Sequence, residues 1–430
     1  MIDDINNYLT LLFPFNRSIT GPDNEKTLKV LQQIAPLEIL EYDSGEHVYD
    51  WTIPDEWSIE DAWIKDANDN IIVDFKENNI HVVGYSEAVN KKISFKELKE
   101  NLFLHHEIPH AIPYRTSYYN KSWGFCVTLS QYKQLEGSVG PLEVVIKSKF
   151  NSSGKMAIGE LIIPGSSKQE ILLSTYICHP SLANDNLSGM LMTAFLAREL
   201  QNRKNLKYTY RIIWVPETIG AISYCYKNEK AMKNIDMGLV VSTVGGPGEF
   251  GFKESWQSDH PINKLIEEVF LESKNTFIKY PFDIHGSDER QYSSQGFRIN
   301  MATISKDKYY EYPEYHSSLD NLSLVKGYQI QQSLDIYCKL LDKFESRKIY
   351  KSLSPYCEVM LSKHDLYPKY GGAQNPEINE KDDLDIILWV LFLSDGVLST
   401  IDISNKIDVN IDSINQICKT LVKKGILKEV

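Results

Sequence analysis

Positive charge is in short supply. Lysine and arginine number 46 against 58 aspartates and glutamates, a formal net charge of −12. That balance argues against a general nucleic-acid binder, whose affinity comes mainly from cationic contacts to phosphate. Cysteine is scarce too: six in 430 residues, at 126, 178, 225, 338, 357 and 418, with no CxxC spacing. Such scatter suits reduced thiols and speaks against a disulfide framework. No apolar run approaches the roughly 20 residues that span a bilayer. The opening Met1–Asp4 carries no basic segment of a signal peptide. The expectation is a cytoplasmic protein with no membrane association. Internal repeats and low-complexity segments are missing as well, which removes solenoids and arrays. What is left is ordinary: 42% hydrophobic and 24% charged residues, in a chain long enough for two or three units and a large core.

The most informative stretch is 171–189, Ile-Leu-Leu-Ser-Thr-Tyr-Ile-Cys-His-Pro-Ser-Leu-Ala-Asn-Asp-Asn-Leu-Ser-Gly. Its apolar, partly β-branched start reads as a buried strand, and Pro180 stops that strand just after His179. A short polar loop brings Asp185, and an apolar helical run follows from Met190. A His and an Asp therefore sit at the carboxyl end of a strand, where open α/β sheets bind ligands. Neutral imidazole and ionised carboxylate are ligands that zinc accepts. Cys178, inside the apolar run, reads as a small buried side chain rather than a ligand.

Residues 1–35 read as two helices around a turn, Arg17–Gly21, whose arginine reads as a solvated surface cation. From 36 to 118 short alternating runs separated by Pro, Asp and Asn, with tryptophans at 51, 57 and 63, indicate a β-rich unit. His105, His106 and His110 lie among prolines and read as a loop without a metal. Strands at 142–149 and 155–163 are expected to form a hairpin around 151–154. Then strands (171–177, 208–215, 237–243, 299–304) alternate with helical runs (190–202, 220–233, 261–273, 324–347). That rhythm implies an α/β sheet covered by helices on both faces. Residues 348–380 are rich in Ser, Pro, Tyr, Gly and Asn, as crossovers and linkers are. Three short helices, at 384–393, 401–407 and 411–427, are similar to a small winged helix. Lys419, Lys423 and Lys424 stand against Asp412 there, which favours packing or protein contact over a DNA helix.

Three further elements join His179 and Asp185. Trp214-Val-Pro-Glu217-Thr-Ile-Gly220 is a strand ending in a carboxylate. Gly286-Ser-Asp288-Glu289-Arg290-Gln-Tyr292 packs two acids and an arginine before a strand. Tyr312-Pro-Glu314-Tyr315-His316-Ser-Ser-Leu-Asp320 is a histidine loop before the last long helix. Metal-assisted hydrolysis needs ligands, an open position for water and a base beside it. His179, Asp185 and His316 can supply the ligands, and Glu217 the base.

This ordered set resembles the zinc-dependent aminopeptidase and glutamate-carboxypeptidase superfamily. More closely, the chain resembles a bacterial aminopeptidase-like family with a small inserted domain and a C-terminal winged helix. The closer likeness also takes in Tyr49-Asp-Trp-Thr-Ile-Pro54 and Ile112-Pro-Tyr-Arg-Thr-Ser-Tyr-Tyr119. The resemblance implies a zinc-exopeptidase-like mixed sheet flanked by helices. It would span 1–43 and 119–350, with a β-rich insert at 44–118, a linker at 351–380 and a winged helix at 381–430. Carried over, His179 and His316 match ligands of two different zincs, Asp185 the carboxylate that bridges them, and Glu217 the general base. Two positions depart: the residue after the base is Thr218 rather than a metal-binding Glu, and Ser242 or Thr243 stands where an Asp is usual. Each zinc loses a ligand, so one zinc per chain is favoured, without excluding two. Asp288 and Glu289 become candidates for a substrate α-ammonium. Arg290 is expected to neutralise them before binding a carboxylate, and Tyr315 either donates to an oxyanion or packs under the loop.

The reading is a cytoplasmic zinc hydrolase that cleaves an amide beside a free amino terminus of a peptide or aminoacyl amide, with no nucleic-acid partner and with a homo-oligomer allowed. Its rivals are glutaminyl-cyclase-like acyl transfer and a non-catalytic peptidase fold used for binding.

Overall fold

The structure, a computed structural model, describes residues 1–367 and 383–430. It divides between Lys339 and Leu340 into two units, Met1–Lys339 and Leu340–Val430.

The first unit is built on an eight-stranded mixed sheet. In chain order its strands are β1 (Glu38–Asp43), β2 (Lys155–Ile163), β3 (Glu170–Tyr176), β4 (Thr209–Val215), β5 (Met237–Val241), β6 (Phe250–Lys253), β7 (Phe277–Tyr280) and β8 (Asn300–Lys306). Across the sheet they run β1-β2-β4-β3-β5-β8-β6-β7. The central four, β4-β3-β5-β8, are parallel. β3 is buried from Ile171 to Tyr176, on both faces, as its unbroken apolar run requires of a central parallel strand. The helix Gly189–Asn202 that follows it is buried continuously from Gly189 to Ala197. From β3 the chain crosses to β4 on one side and then to β5 on the other. The carboxyl end of β3 is therefore the point where the winding reverses and a crevice opens. β6 and β7 had no counterpart in the sequence reading, because four residues are too few to display a period.

A second, antiparallel sheet lies in the same unit, in the order Ile71–Asp74, Glu56–Lys65, Leu142–Asn151, Val89–Ile93. Its core gathers Ala62, Ile64, Val73, Val144 and Ile146. The hairpin expected over 142–163 does not form. Leu142–Asn151 pairs with Glu56–Lys65 and Val89–Ile93, while β2 pairs with β1 and β4. Alternation had identified both strands, but it carries no record of the partner. This sheet thus draws a strand from well beyond residue 118.

The second unit has helices Asp383–Leu393, Thr400–Ile407 and Ile411–Lys423 beside a three-stranded sheet, Asp395–Ser399, Ile349–Ser352 and Leu427–Glu429. Val390, Ile403, Ile414, Cys418 and Leu421 fill its core, the arrangement of a winged helix. The third helix ends at Lys423, earlier than the apolar pattern suggested, because Gly425 at φ +68° turns the chain into the last strand. Of the stretch read as a linker, residues 351–352 belong to a strand and Leu361–His364 form a helical turn; 368–380 lie outside the described residues, as do 381–382 of the terminal module.

Candidate metal centre

Three residues from different parts of the first unit converge beyond the carboxyl end of β3. His179, Asp185 and His316 bring their ligand atoms within 4.8 Å of one another. His316 Nε2 stands 3.0 Å from Asp185 Oδ2, and the two imidazole rings are 5.5 Å apart, centre to centre. His179 and Asp185 are buried; His316 is partly open to solvent. Glu217 leaves the neighbouring β4 and reaches 4.0 Å from His179 Nε2. Parallel pairing explains the approach, since Tyr176 is level with Val215 and both chains continue for a few residues.

Each ligand is held from behind. Asp320, fully buried, accepts the backbone N–H of Asn184 at 2.6 Å and of Asp185 at 2.9 Å, and the Tyr312 hydroxyl at 3.0 Å. Asn186 donates to Thr175 and to the carbonyl of Tyr176, fixing the loop to β3. A Cβ at Gly189 would lie 2.7 Å from the Val241 carbonyl, so only glycine lets the loop and β5 approach this closely. The His316 loop is anchored by the segment Ile112–Tyr114. Ile112 and Ser318 exchange hydrogen bonds at 2.9 and 3.0 Å, and Tyr114 N–H donates to the His316 carbonyl at 2.7 Å. The Tyr114 ring then sits 5.2 Å from both imidazoles. Arg17 overturns its surface reading: it is 1% exposed, and its Nε donates to the His179 carbonyl at 3.0 Å. Sequence reasoning gave no role to Tyr114 or Asp320 and misplaced Arg17. The only signal was the Ile112–Tyr119 motif, whose purpose was unassigned.

The electrostatics prepare ligand forms. Burial, assisted by His316 and Arg17, lowers the His179 imidazole to about 4, so it is neutral at pH 7. Burial works against ionisation of Asp185, yet His179, His316 and Tyr176 together bring it down to about 2. Neutral imidazole and carboxylate are the states that bind a cation. Asp185 Oδ2 and His316 Nε2 face each other at 3.0 Å, buried and with no well-aligned hydrogen bond to anything else. Unpaired buried polar atoms are costly, and here they share one small space with a third donor. The residues fit a divalent metal ion.

The other predicted residues separate. Burial and the neighbouring carboxylates of Asp288 and Asp185 push Glu217 well above the usual range. Asp288 is buried, and its Oδ1 accepts the Thr218 N–H at 2.8 Å, fixing the turn after Glu217. Glu289 is engaged inside the protein, accepting Ser287 N–H at 3.0 Å and the Thr303 hydroxyl, with Lys253 at 3.8 Å. Arg290 is exposed and directs its guanidinium to the Ile284 carbonyl at 3.5 Å, and its charge acts against the upward shift of the Asp288 carboxyl. Tyr315 stacks on His316 at 3.9 Å. Cys178 has ligand atoms of His179 and Glu217 close by. Burial and Glu217 raise its thiol well above the ordinary value, which keeps it protonated while no cation is near. Its Sγ accepts Glu217 N–H at 3.3 Å. Ser242, just beyond the end of β5, and Tyr176, the last residue of β3, are buried and adjoin the site through hydroxyls.

A family described as a domain of unknown function, DUF4910, matches residues 6–347. The chain belongs to this family. A winged helix-turn-helix family matches 348–429. A Clostridium acetobutylicum protein described as a "Putative polysaccharide biosynthesis protein with aminopeptidase-like domain" is 38% identical over 430 residues, covering 99% of this chain and 96% of its own. A crystal structure described as a "putative peptidase" from the same organism has a TM-score of 0.81 at 37% identity, over 100% of this chain and 96% of its own. The zinc aminopeptidase BSAP of Bacillus subtilis has a TM-score of 0.57 at 12% identity, over 80% of this chain and 93% of its own. The likeness to BSAP is one of fold: the first unit has the architecture of zinc aminopeptidases.

Proposed function

We propose that this family member is a zinc-dependent hydrolase of aminopeptidase type. His179, Asp185 and His316 hold one ion, and Glu217 acts as general base in cleaving an amide beside a free amino terminus. What carries the reading is the convergence of three candidate ligand side chains, two of whose buried atoms meet only each other, beside a carboxylate at 4.0 Å. A zinc ion in that set supplies Lewis acidity, polarising a carbonyl and acidifying water. Glu217 takes the proton of the attacking water and delivers it to the leaving amine, and its raised proton affinity suits the delivery. Asp288, with one oxygen on Thr218 N–H, offers the other to a substrate α-ammonium. Tyr315, stacked on His316, is the donor to the developing oxyanion. The Clostridium relative is described in terms of polysaccharide biosynthesis, which widens the substrate class from peptides to aminoacyl amides of sugars. Free cysteines at all six positions favour a reducing, cytoplasmic setting. The winged helix would serve protein contact.

Elemental analysis beside a screen of aminoacyl anilides and aminoacyl amino-sugars tests this. About one zinc per chain is expected in the wild type and in Glu217→Gln, none in His179→Ala, and turnover only in the wild type. Normal turnover by Glu217→Gln would end the mechanism. Absence of zinc in the wild type would favour a binding scaffold instead. A one-ion set also suits glutaminyl cyclisation, which the screen separates by its pyroglutamyl product.

A further inference from the structure

The two oxygens of Asp185 meet different surroundings. Oδ2 faces His316 and has no other hydrogen-bond partner. Oδ1 accepts the Tyr176 hydroxyl, which is itself 2.6 Å from Ser242 Oγ. All three side chains are buried. The placement agrees with strand register: β3 and β5 pair as far as Ser174 opposite Val240, and two residues further along each chain the hydroxyls of Tyr176 and Ser242 meet. A carboxylate that bridges two cations gives one oxygen to each. Here one of those oxygens is already covered by a phenol, and the phenol is steadied by an alcohol in place of the carboxylate expected at that strand end.

From this geometry we propose that Tyr176, positioned by Ser242, sets the metal count of the site at one by occupying the Asp185 Oδ1 side that a second ion would use. The inference rests on the one-ion reading above. Tyr176 is a positioning residue: it acts on the number of ions, and through Asp185 on the geometry of the one that binds. The serine is the permissive half of the pair, because a carboxylate there would be repelled by Asp185 unless a cation lay between them.

The test is a metal count on the full chain, after dialysis against excess zinc and a return to zinc-free buffer, with cobalt absorption spectra as a second readout. The wild type and Ser242→Asp are expected to hold about one ion, and Tyr176→Phe/Ser242→Asp about two, with a changed cobalt spectrum. Tyr176→Phe alone removes a single oxygen atom. It should show a second, weaker zinc-binding step by calorimetry, and it serves as the test if the buried aspartate prevents folding. One ion and one binding step in every folded variant would overturn the proposal. So would two ions in Ser242→Asp with Tyr176 in place. Two ions in the wild type, or none, would instead sink the one-ion reading beneath it, and the proposal with it.

Discussion

The two units bury different chemistry. In Leu340–Val430 the interior is assembled from Ile386, Val390, Ile403, Ile414, Cys418 and Leu421; its buried polar residues include Ser399 and Thr400 at a helix start and Arg347, whose charge is met by Asp402 at 3.1 Å. In Met1–Lys339 the carboxyl edge of the main sheet buries Arg17, His179, Asp185, Asp288, Glu289 and Asp320. Withdrawing a charge from water costs several kcal/mol unless partners compensate. A unit shaped by stability alone would resemble the winged helix. Most charges at the sheet edge are compensated, Asp320 by two N–H groups and a phenol, and Glu289 by an N–H, a hydroxyl and a lysine. Asp185 Oδ2 and His316 Nε2 are the pair left facing each other. The contrast marks the candidate site better than any single side chain does.

Several changes can break or sharpen that contrast. The largest effect should come from chelation. Zinc at about 1,000 times its Kd stabilises the bound state by ~4 kcal/mol. Removing it should accelerate amide exchange around Tyr176–Ser188 and leave exchange at 383–430 unchanged. Equal acceleration in both units would erase the distinction. Next comes Asp320→Ala, which strips the acceptor from two backbone N–H groups at ~1–3 kcal/mol each. It should weaken zinc affinity by about 10–100-fold, as loss of a supporting contact behind a ligand does, and a competition titration would measure it. Smaller still is Ile403→Val in the winged-helix core. It should lower that unit's stability by ~0.5–1.5 kcal/mol in denaturant unfolding without altering zinc content. Least of all, Lys419→Gln with Lys423→Gln should shift stability by less than about 0.5 kcal/mol, in keeping with exposed positions. If the pair abolished salt-sensitive duplex binding by the wild type, the protein-contact role given to this module would fall.

The grouping of His179, Asp185 and His316 near Glu217 was legible because each ends or follows a recognisable strand or helix and carries a chemical type that hydrolysis needs. His179 follows an apolar run stopped by proline, and Glu217 ends another. What supports them was not legible. Arg17 looked like any loop arginine, since burial is a property of the fold and not of its neighbours in sequence. Tyr114 and Asp320 act across 202 and 135 or more residues of chain in their contacts with His316 and Asp185, separations at which periodicity says nothing. Leu142–Asn151 showed its strand character but not its sheet. Glu289 was read by charge alone, and its neighbours Thr303 and Lys253 only come near once β8 and β6 are paired.

The clasp between Ile112–Tyr114 and His316–Ser318 has a consequence for how the protein is made. The bond from Ile112 N–H to Ser318 Oγ closes over 206 residues. A ribosome adding about 5–20 residues per second delivers His316 on the order of ten seconds after His179. Through that interval the nascent chain owns half a site. Its first histidine and aspartate have no third partner, and the tyrosine that will lie against both imidazoles has only one of them to meet. The convergence of His179, Asp185 and His316 is thereby deferred until nearly the whole first unit has left the tunnel, an ordering imposed by chain connectivity alone.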